Sequence, residues 1–195
     1  MAEDIVFYDN VLKESFCKYL LQDSLQNLSS SREFSRSNFH WQSEIVRMSA
    51  PVLVRDYDTK MSALILQQLH DRGVVDDKNY KNYHVMNYIW TRLSYIPWHN
   101  DQEYISAITI YLNEYWDPNW GGIYLYRTRE EARQNIKGYL PKFNTAVKNN
   151  NRVSHSITMI SMDAASPRVT IQLFTKTGSW CAPRLTGQVA GCVKH

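Results

Sequence analysis

Five short runs rich in β-branched and aromatic residues fill the second half of the chain, and they restrict its fold more than any other feature. The runs lie at 83–90, 104–112, 122–126, 153–161 and 168–175. Turn signals separate them, notably Asp117-Pro118-Asn119, Gly121-Gly122 and Ser166-Pro167. Short strands joined by irregular loops are typical of an antiparallel sandwich or jelly roll, and not of a parallel sheet.

Two helices are predicted in the first eighty residues. Asp9 or Asn10 can cap the first, in which apolar residues from Leu12 to Leu28 recur at three- and four-residue steps. Asp58 can cap the second, and Gly73 ends it. The 195 residues suffice for one domain. We expect a helical support at 1–80, a jelly-roll catalytic core at 81–176 and a C-terminal tail at 177–195.

The composition excludes several classes of protein. Apolar residues make up 44% of the chain and charged residues 21%, which is ordinary for a globular domain. The net charge of +3 is too small to indicate a nucleic-acid partner. No apolar run reaches the length of a membrane span, and the acidic start does not resemble a signal peptide. The sparse cysteines Cys17, Cys181 and Cys192 predict reduced thiols in a cytoplasmic protein.

Two of the predicted strands separate into an apolar face and a polar face, since residues i and i+2 of a strand share a side. The apolar faces consist of Ile108, Ile110, Leu112 and of Val169, Ile171, Leu173. The polar faces consist of Thr109, Tyr111, Asn113 and of Arg168, Thr170, Gln172. Two structures fit this pattern. One is a sheet with a core face and a solvent face; the other is a barrel with a polar-lined cavity and helices packed on its apolar outside.

A His-x-Asp triplet favours the barrel. His99 and Asp101 lie at a predicted strand end, and their spacing aims the imidazole and the carboxylate to one side. A second histidine would complete a two-histidine, one-carboxylate set, which suits iron(II) and leaves open positions on the metal. His155, in the run at 153–161, is the best candidate. Taken alone, the triplet also fits a surface hydrogen-bonded pair, and His155 also fits an ordinary core histidine.

The remaining histidines, His40, His70, His84 and His195, are interpreted as structural. Arg168 strengthens the metal hypothesis because it stands at the start of the last strand, with Thr170 on the same face. A guanidinium buried in a barrel is costly unless it meets a carboxylate. Its planar fork suits the far carboxylate of a dicarboxylic cosubstrate.

The order of these motifs resembles the 2-oxoglutarate and iron(II) dioxygenases of the prolyl 4-hydroxylase type. The resemblance covers about half the chain, from Tyr83 to Phe174. It rests on His99 and Asp101, Tyr111-Leu112-Asn113, Trp116 with Gly121-Gly122, Pro141, Phe143, His155 and Arg168. It implies a mainly β fold with flanking helices, whose core is a double-stranded β-helix, the cupin-like jelly roll.

The resemblance also implies a set of ligands. His99, Asp101 and His155 would hold iron(II) and form the catalytic centre. Arg168, helped by Thr170, would bind 2-oxoglutarate, and Tyr111 and Tyr88 would line its pocket. For both tyrosines aromatic core packing is the alternative role. Dioxygen is the co-oxidant that the family uses, and ascorbate is an optional further cofactor.

The function implied is hydroxylation of an unactivated C–H bond, with a prolyl residue of a peptide or protein as the favoured target. Hydroxylation of a free amino acid or other small molecule, and a non-catalytic cupin-like binding module, remain alternatives. The presence of Asp101 argues against the related halogenases, which lack this carboxylate. The run from Arg168 to Gln172 lacks the paired arginines of nucleic-acid demethylases, so neither a nucleic acid nor a membrane is expected as a partner.

The segment 127–152 is predicted to be a loop between core strands, with a short helix at 130–136. It carries seven basic residues against Glu130 and Glu131. The basic residues are Arg127, Arg129, Arg133, Lys137, Lys142, Lys148 and Arg152. It fits either a solvated excursion or a basic lid over the site that attracts an acidic substrate.

Overall fold

The computed structural model describes residues 4–29, 35–36, 52–75, 82–101, 104–127 and 135–175. These residues form two antiparallel sheets with two α-helices. The strands are β1 (Ile5–Asp9), β2 (Ser35–Arg36), β3 (Leu53–Asp56), β4 (Tyr83–Trp90), β5 (Ile96–His99), β6 (Ser106–Tyr111), β7 (Tyr124–Arg127), β8 (Lys137–Tyr139), β9 (Thr145–Asn150), β10 (Ser154–Ile157) and β11 (Arg168–Thr175). The helices are α1 (Glu14–Gln26) and α2 (Thr59–Asp71).

The larger sheet has the strand order β1-β9-β6-β11-β4-β3-β2, and the smaller has the order β5-β10-β7-β8. The first eighty residues therefore supply both helices and also β1, β2 and β3, which extend the larger sheet. The mainly β architecture with flanking helices that was predicted from the sequence is confirmed. Within the described residues, neither helix is long and apolar enough to cross a membrane.

The two faces of the larger sheet bury different partners, as the alternating pattern predicts. Val169, Ile171 and Leu173 lie in one core cluster with the apolar residues of α1 and α2. On the opposite face, Tyr88, Trp90 and Tyr111 pack against the aromatic and apolar residues of the smaller sheet. Arg168, Thr170 and Gln172 point to this second side and are buried. The polar face is therefore the inside of a barrel and not a solvent face.

The helix α2 follows its predicted signals. Asp58 is the N-cap, and its side chain accepts a hydrogen bond from the Met61 backbone N at 2.7 Å. Gly73 follows the helix with a φ of 69°, a conformation that glycine adopts without steric cost.

The helix α1 begins later than predicted, after Lys13 and not after Asp9 or Asn10. The reason lies in Asn144, which is distant in sequence. Its side chain accepts from the Leu12 backbone N at 2.9 Å and donates to the Leu12 carbonyl at 2.8 Å. Because both backbone groups of Leu12 are paired in this way, the buried segment before Lys13 stays outside the helix.

The prediction of a loop at 127–152 is wrong, because β8 and β9 lie within it. β9 lies in the interior of the larger sheet and pairs with β1 on one side and β6 on the other. Two of its six residues are asparagines and one is a lysine, so its sequence lacks the apolar alternation that predicts a strand. Its strand conformation is fixed by the ladders on both sides. Most of the predicted helix at 130–136 lies outside the described residues.

The basic residues of this segment do not form one rim where the structure describes them. Lys142 pairs with Asp9 at 2.8 Å. Lys148 donates to the Val74 carbonyl at 2.9 Å, on the helix side of the sheet. Arg127 instead stacks over the Trp98 ring, with its Cζ 5.3 Å from the ring centroid.

Candidate active site

The structure brings His99, Asp101 and His155 together at the edge of the smaller sheet. His99 ends β5 and lies opposite His155 of β10 in the strand register, and Asp101 follows two residues after His99. Among the described residues they are the one group of three His, Cys, Asp or Glu side chains whose ligand atoms all lie within 4.8 Å of one another. His155 Nε2 is 3.6 Å from Asp101 Oδ2, and His99 Nε2 is 3.9 Å from Asp101 Oδ1.

Backbone carbonyls orient both imidazoles. His99 Nδ1 lies 2.9 Å from the Pro97 carbonyl, and His155 Nδ1 lies 3.2 Å from the Val153 carbonyl. A carbonyl oxygen can only accept, so each Nδ1 carries the hydrogen and donates it. Each Nε2 faces Asp101, and in the neutral ring this nitrogen carries the lone pair that a metal binds. Such second hydrogen bonds fix the tautomer and ring orientation of metal-binding histidines.

Burial keeps the His99 imidazole neutral. It lowers the pKa of His99 to about 4, and the nearby His155 lowers it further, while Asp101 acts in the opposite direction. The two rings lie 4.3 Å apart between centroids. A neutral imidazole beside a carboxylate is the protonation state that a divalent metal requires.

The other histidines have structural surroundings where they are described. His84 Nε2 lies 2.6 Å from Asp56 Oδ1, and His70 Nδ1 lies 3.9 Å from Asp71 Oδ1. His40 and His195, like Cys181 and Cys192, lie outside the described residues. Cys17 is a buried free cysteine in α1, and burial raises the pKa of its thiol to about 12.

Arg168 is completely buried between the two sheets, with no exposed surface. Among the residues that the structure describes, none donates or accepts a hydrogen bond with any of its three guanidinium nitrogens. Its Cζ lies 5.1 Å from the Trp90 ring centroid and 5.1 Å from that of Tyr111. Ring faces attract a cation but leave its N–H donors unpaired. Burial lowers the pKa of Arg168 from its ordinary value, yet a guanidinium stays charged at neutral pH.

Asn113 and Gly122 determine the position of Arg168. The Asn113 side chain accepts from the Val169 backbone N at 2.7 Å and donates to the Pro167 carbonyl at 2.9 Å, so it holds the residues on either side of Arg168. Gly122, with a φ of 66°, lies where a Cβ would approach Arg168 Cδ to 3.0 Å. The absence of a side chain at Gly122 therefore gives room to the arginine stem.

Thr170 takes part in a hydrogen-bond network on the same face. Its Oγ1 accepts from Trp90 Nε1 at 3.2 Å and from Gln172 Nε2 at 3.4 Å. Gln172 Oε1 in turn accepts from Thr109 Oγ1 at 2.8 Å. Thr170 is thus fixed two residues from Arg168, with its own hydroxyl hydrogen still available to a ligand.

The two predicted pocket tyrosines lie on neighbouring sides of β11. Tyr111 of β6 is paired with Thr170, and so is Tyr88 of β4. The Tyr111 hydroxyl is buried without a hydrogen-bond partner in the described part of the chain. Burial raises its pKa to about 12, while the nearby Arg168 acts in the opposite direction. Tyr88 is buried against Trp90.

Tyr124 was not predicted as a site residue. It lies on β7, is 2% exposed, and stacks on the His155 ring with centroids 5.2 Å apart. Its hydroxyl, like that of Tyr111, is buried without a hydrogen-bond partner among the described residues. Burial raises the pKa of Tyr124, and the nearby Tyr111 and Asp101 add to that effect. The sequence signal was its position directly after Gly121-Gly122-Ile123, but an apolar core tyrosine has the same pattern.

Comparison with known proteins identifies solved structures that share this fold. No protein-family model and no curated protein matches the sequence. A prolyl-4-hydroxylase from Pseudomonas putida matches with a TM-score of 0.67 at 11% identity, over 90% of this chain and 94% of that one. A Trichoplax adhaerens prolyl hydroxylase, in complex with a hypoxia inducible factor oxygen degradation domain peptide fragment, matches with a TM-score of 0.66 at 17% identity, over 89% and 83% of the two chains.

An oxidoreductase of the 2OG-Fe(II) oxygenase family from Burkholderia pseudomallei matches with a TM-score of 0.59 at 13% identity, over 90% of this chain and 86% of that one. The chain has the fold of the 2-oxoglutarate and iron(II) oxygenases. The predicted jelly roll of the prolyl 4-hydroxylase type is confirmed at the level of the fold.

In this oxygenase fold the buried polar groups fall into two sets on facing sheets. His99, Asp101 and His155 belong to the smaller sheet and its edge, and Arg168 and Tyr111 to the larger. The first set offers two nitrogens and a carboxylate to a metal. The second offers unpaired N–H and O–H donors to an anion.

Proposed function

We propose that this chain is an iron(II)- and 2-oxoglutarate-dependent oxygenase that hydroxylates an unactivated C–H bond. The observation that carries the proposal is the unpaired guanidinium of Arg168, fully buried in the barrel that also holds the His-Asp-His group. A buried charge without a partner costs several kcal/mol, so a fold retains it when a ligand compensates. The compensating ligand has to be an anion with matching acceptors.

The residues present fit the metal that this function requires. Two imidazole nitrogens and one carboxylate form the set that suits non-haem iron(II) and leaves positions free for other ligands. Both Nε2 atoms face Asp101, and both Nδ1 hydrogens are already donated to backbone carbonyls. His99, Asp101 and His155 would therefore hold the iron.

The iron, when bound, supplies the redox chemistry that couples hydroxylation of the substrate to conversion of 2-oxoglutarate and dioxygen into succinate and carbon dioxide. The protein residues bind, orient and exclude water. Arg168 would hold the distal carboxylate of 2-oxoglutarate through two parallel N–H bonds, with Tyr111 and the Thr170 hydroxyl beside it. The rings of Trp90, Tyr88 and Tyr124 are buried in the same barrel interior and would exclude water from the bound cosubstrate.

A prolyl residue in a peptide or protein is the substrate class that we favour. The support is the fold shared with prolyl hydroxylases, one of which was solved with a peptide fragment. A free amino acid is the alternative that the substrate panel below distinguishes.

The test begins with the purified protein, iron(II), 2-oxoglutarate and oxygen. We expect one iron per chain and oxygen-dependent formation of succinate. Proline-containing peptides, free amino acids and oligonucleotides are then compared as stimulants of succinate formation, with the product identified by a mass gain of one oxygen atom. A protein that binds neither iron nor 2-oxoglutarate would be a binding module of another kind, and the proposal would fail.

A further inference from the structure

A groove of about 600 Å³ opens on the outside of the barrel, beyond the ends of β6 and β8. Its walls are aromatic and apolar side chains, namely Tyr115, Trp116, Tyr139, Leu140, Pro141 and Phe143. Two of them are open to solvent, since Tyr115 is 66% exposed and Leu140 is 37% exposed. Exposed apolar side chains that share one concave surface indicate a binding site.

This groove lies at the opposite end of β6 from the metal-ligand group. Just before β6 begins, the Tyr104 backbone N donates to the Asp101 carbonyl at 3.0 Å. Just after β6 ends at Tyr111, the chain reaches Glu114, which also lines the groove. A strand of six residues is about 20 Å long. Neither Tyr111 nor Arg168 lines the groove, so it is a surface separate from the candidate active site.

Carboxylates outnumber cations on one side of the groove. The Lys18 ammonium is shared by two carboxylates, with Glu14 at 2.8 Å and Glu114 at 3.2 Å. Asp117 accepts from the Tyr115 hydroxyl at 3.1 Å, and no basic side chain among the described residues pairs with it. Three carboxylates and one ammonium leave two uncompensated negative charges here, although the net charge of the whole chain is +3.

The chemistry of the walls and of these carboxylates defines the occupant. The other charged lining residue, Lys142, does not offset the negative charge, because Asp9 pairs with it at 2.8 Å. The walls require an apolar side chain, and the carboxylates require a cation. Arginine suits this place best, since a guanidinium binds carboxylates side-on and also stacks on an aromatic face such as that of Tyr115. Negative charge repels the phosphates of nucleic acids and of anionic lipids, which leaves a protein segment as the partner.

We propose that this groove is a docking site for a protein segment in which an apolar side chain is flanked by arginine or lysine. The apolar side chain occupies the groove beside Tyr115 and Leu140. The flanking cation pairs with Glu114 or Asp117. Docking here needs neither iron nor 2-oxoglutarate, so the inference goes beyond the proposed function and does not depend on it.

The first experiment uses a library of random peptides displayed on phage. The library is selected on the immobilised full chain and counter-selected on the Tyr115→Ala variant. Tyr115 is largely exposed, so this change removes a wall of the groove without emptying the core. We expect the enriched peptides to share an apolar residue next to arginine or lysine. Enrichment of acidic or uncharged peptides, or of no peptide, would overturn the proposal.

The second experiment measures the affinity of one enriched peptide by fluorescence anisotropy, without added metal. Tyr115→Ala should weaken binding about tenfold or more, which is the effect of losing one aromatic anchor. The double variant Glu114→Gln with Asp117→Asn should weaken it about threefold or more at low salt, and less at high salt, because salt screens exposed ion pairs. The control Leu64→Ala removes an apolar side chain of α2 that is 47% exposed, and it should change nothing. Equal affinity in the parent and in Tyr115→Ala would contradict the proposal.

Two further measurements separate this site from other surfaces. On addition of the peptide, amide chemical shifts should change at 114–116 and 139–143. Changes confined to the surroundings of His99 and His155 would place the peptide at the metal end and overturn the proposal. In sedimentation without peptide, Tyr115→Ala should behave as the parent does. Self-association of the parent that this variant abolishes would instead make the groove an interface between two copies of the chain.

Discussion

Gly122 lies directly against the stem of Arg168. A Cβ at Gly122 would come within 3.0 Å of Arg168 Cδ, within 2.6 Å of Ile160 Cδ1 and within 3.3 Å of Trp116 Cζ2. One glycine thus determines whether the buried arginine can occupy its place. The same glycine also has a φ of 66°, which other residues adopt at a cost.

Gly122→Ala should therefore lose stability and weaken 2-oxoglutarate. Gly73→Ala is the control for the backbone, because Gly73 has a φ of 69° and nothing within 4 Å of a Cβ. Backbone strain alone costs about 1–2 kcal/mol, and overpacking at Gly122 adds about 1–3 kcal/mol. Denaturant unfolding measures both variants. Equal losses in the two would show that the contact with Arg168 is not tight.

His99→Ala and His155→Ala should each lose iron. Two remaining ligands seldom hold such a metal against buffer, and each imidazole is already oriented by a backbone carbonyl. Elemental analysis after anaerobic loading measures the iron. His84→Ala, which removes a histidine paired with Asp56 on the larger sheet, should keep it. Full iron occupancy in either ligand variant would remove that histidine from the metal site.

Asp101→Gly should retain part of the iron but lose hydroxylation. The change removes the anionic ligand and opens a position on the metal, while both imidazoles stay in place. Iron content and product formation are measured on the same sample. Undiminished hydroxylation by this variant would show that Asp101 does not bind the metal.

Replacing Arg168 should separate stability from function. Arg168→Met keeps much of the volume and removes a buried charge whose partners among the described residues are two aromatic ring faces. We expect the free energy of unfolding of the ligand-free protein to rise by about 1–4 kcal/mol, as when buried ionic groups are replaced by apolar ones. The affinity for 2-oxoglutarate should fall at least about a hundredfold, since loss of one partner of a buried charge pair costs about 3–5 kcal/mol. A less stable variant that still binds 2-oxoglutarate would contradict both expectations.

Asn113→Ala should loosen the start of β11. It leaves the buried Val169 N–H without its 2.7 Å acceptor, at a cost of about 1–3 kcal/mol. Because Arg168 precedes Val169, we expect weaker 2-oxoglutarate binding at unchanged iron content. The control is Asn119→Ala in the exposed turn, where the side chain has no such role. Unchanged unfolding and unchanged 2-oxoglutarate binding in Asn113→Ala would show that this clamp does not position Arg168.

The parts of the fold that the sequence predicts are those whose pattern is local. β4 and β11 begin and end where predicted, because each alternates between an apolar core face and the barrel interior. The Asp58 cap is local as well, because its side chain accepts a hydrogen bond from the backbone N of Met61, three residues later. The strand β9 was not predicted, because its conformation depends on its pairing with β1 and β6. The start of α1 was predicted wrongly, because it depends on hydrogen bonds with the distant Asn144.

The candidate site likewise contains residues that a local sequence pattern predicts and residues that depend on the tertiary structure. The three predicted metal ligands lie together, and the predicted Arg168 is buried on the barrel side of β11. The sequence predicts these four residues because their order and spacing along the strands are recognisable. Tyr124 was missed because its significance depends on a hydroxyl with no partner and on a ring packed against His155 from the neighbouring strand. Neither property is visible in the identity of one tyrosine.

The placement of His99 has a dynamic consequence. β5 is the outer strand of the smaller sheet and pairs with β10 alone, through a register that shifts between His155 and Ile157. An outer strand held by so short and irregular a ladder opens more easily than the strands beside it. A metal bound by His99 and His155 would join the two strands and oppose that opening. Amide hydrogen exchange at β5 should then slow on metal addition while exchange at β11 stays the same, so that the margin of the barrel becomes rigid only in the loaded protein.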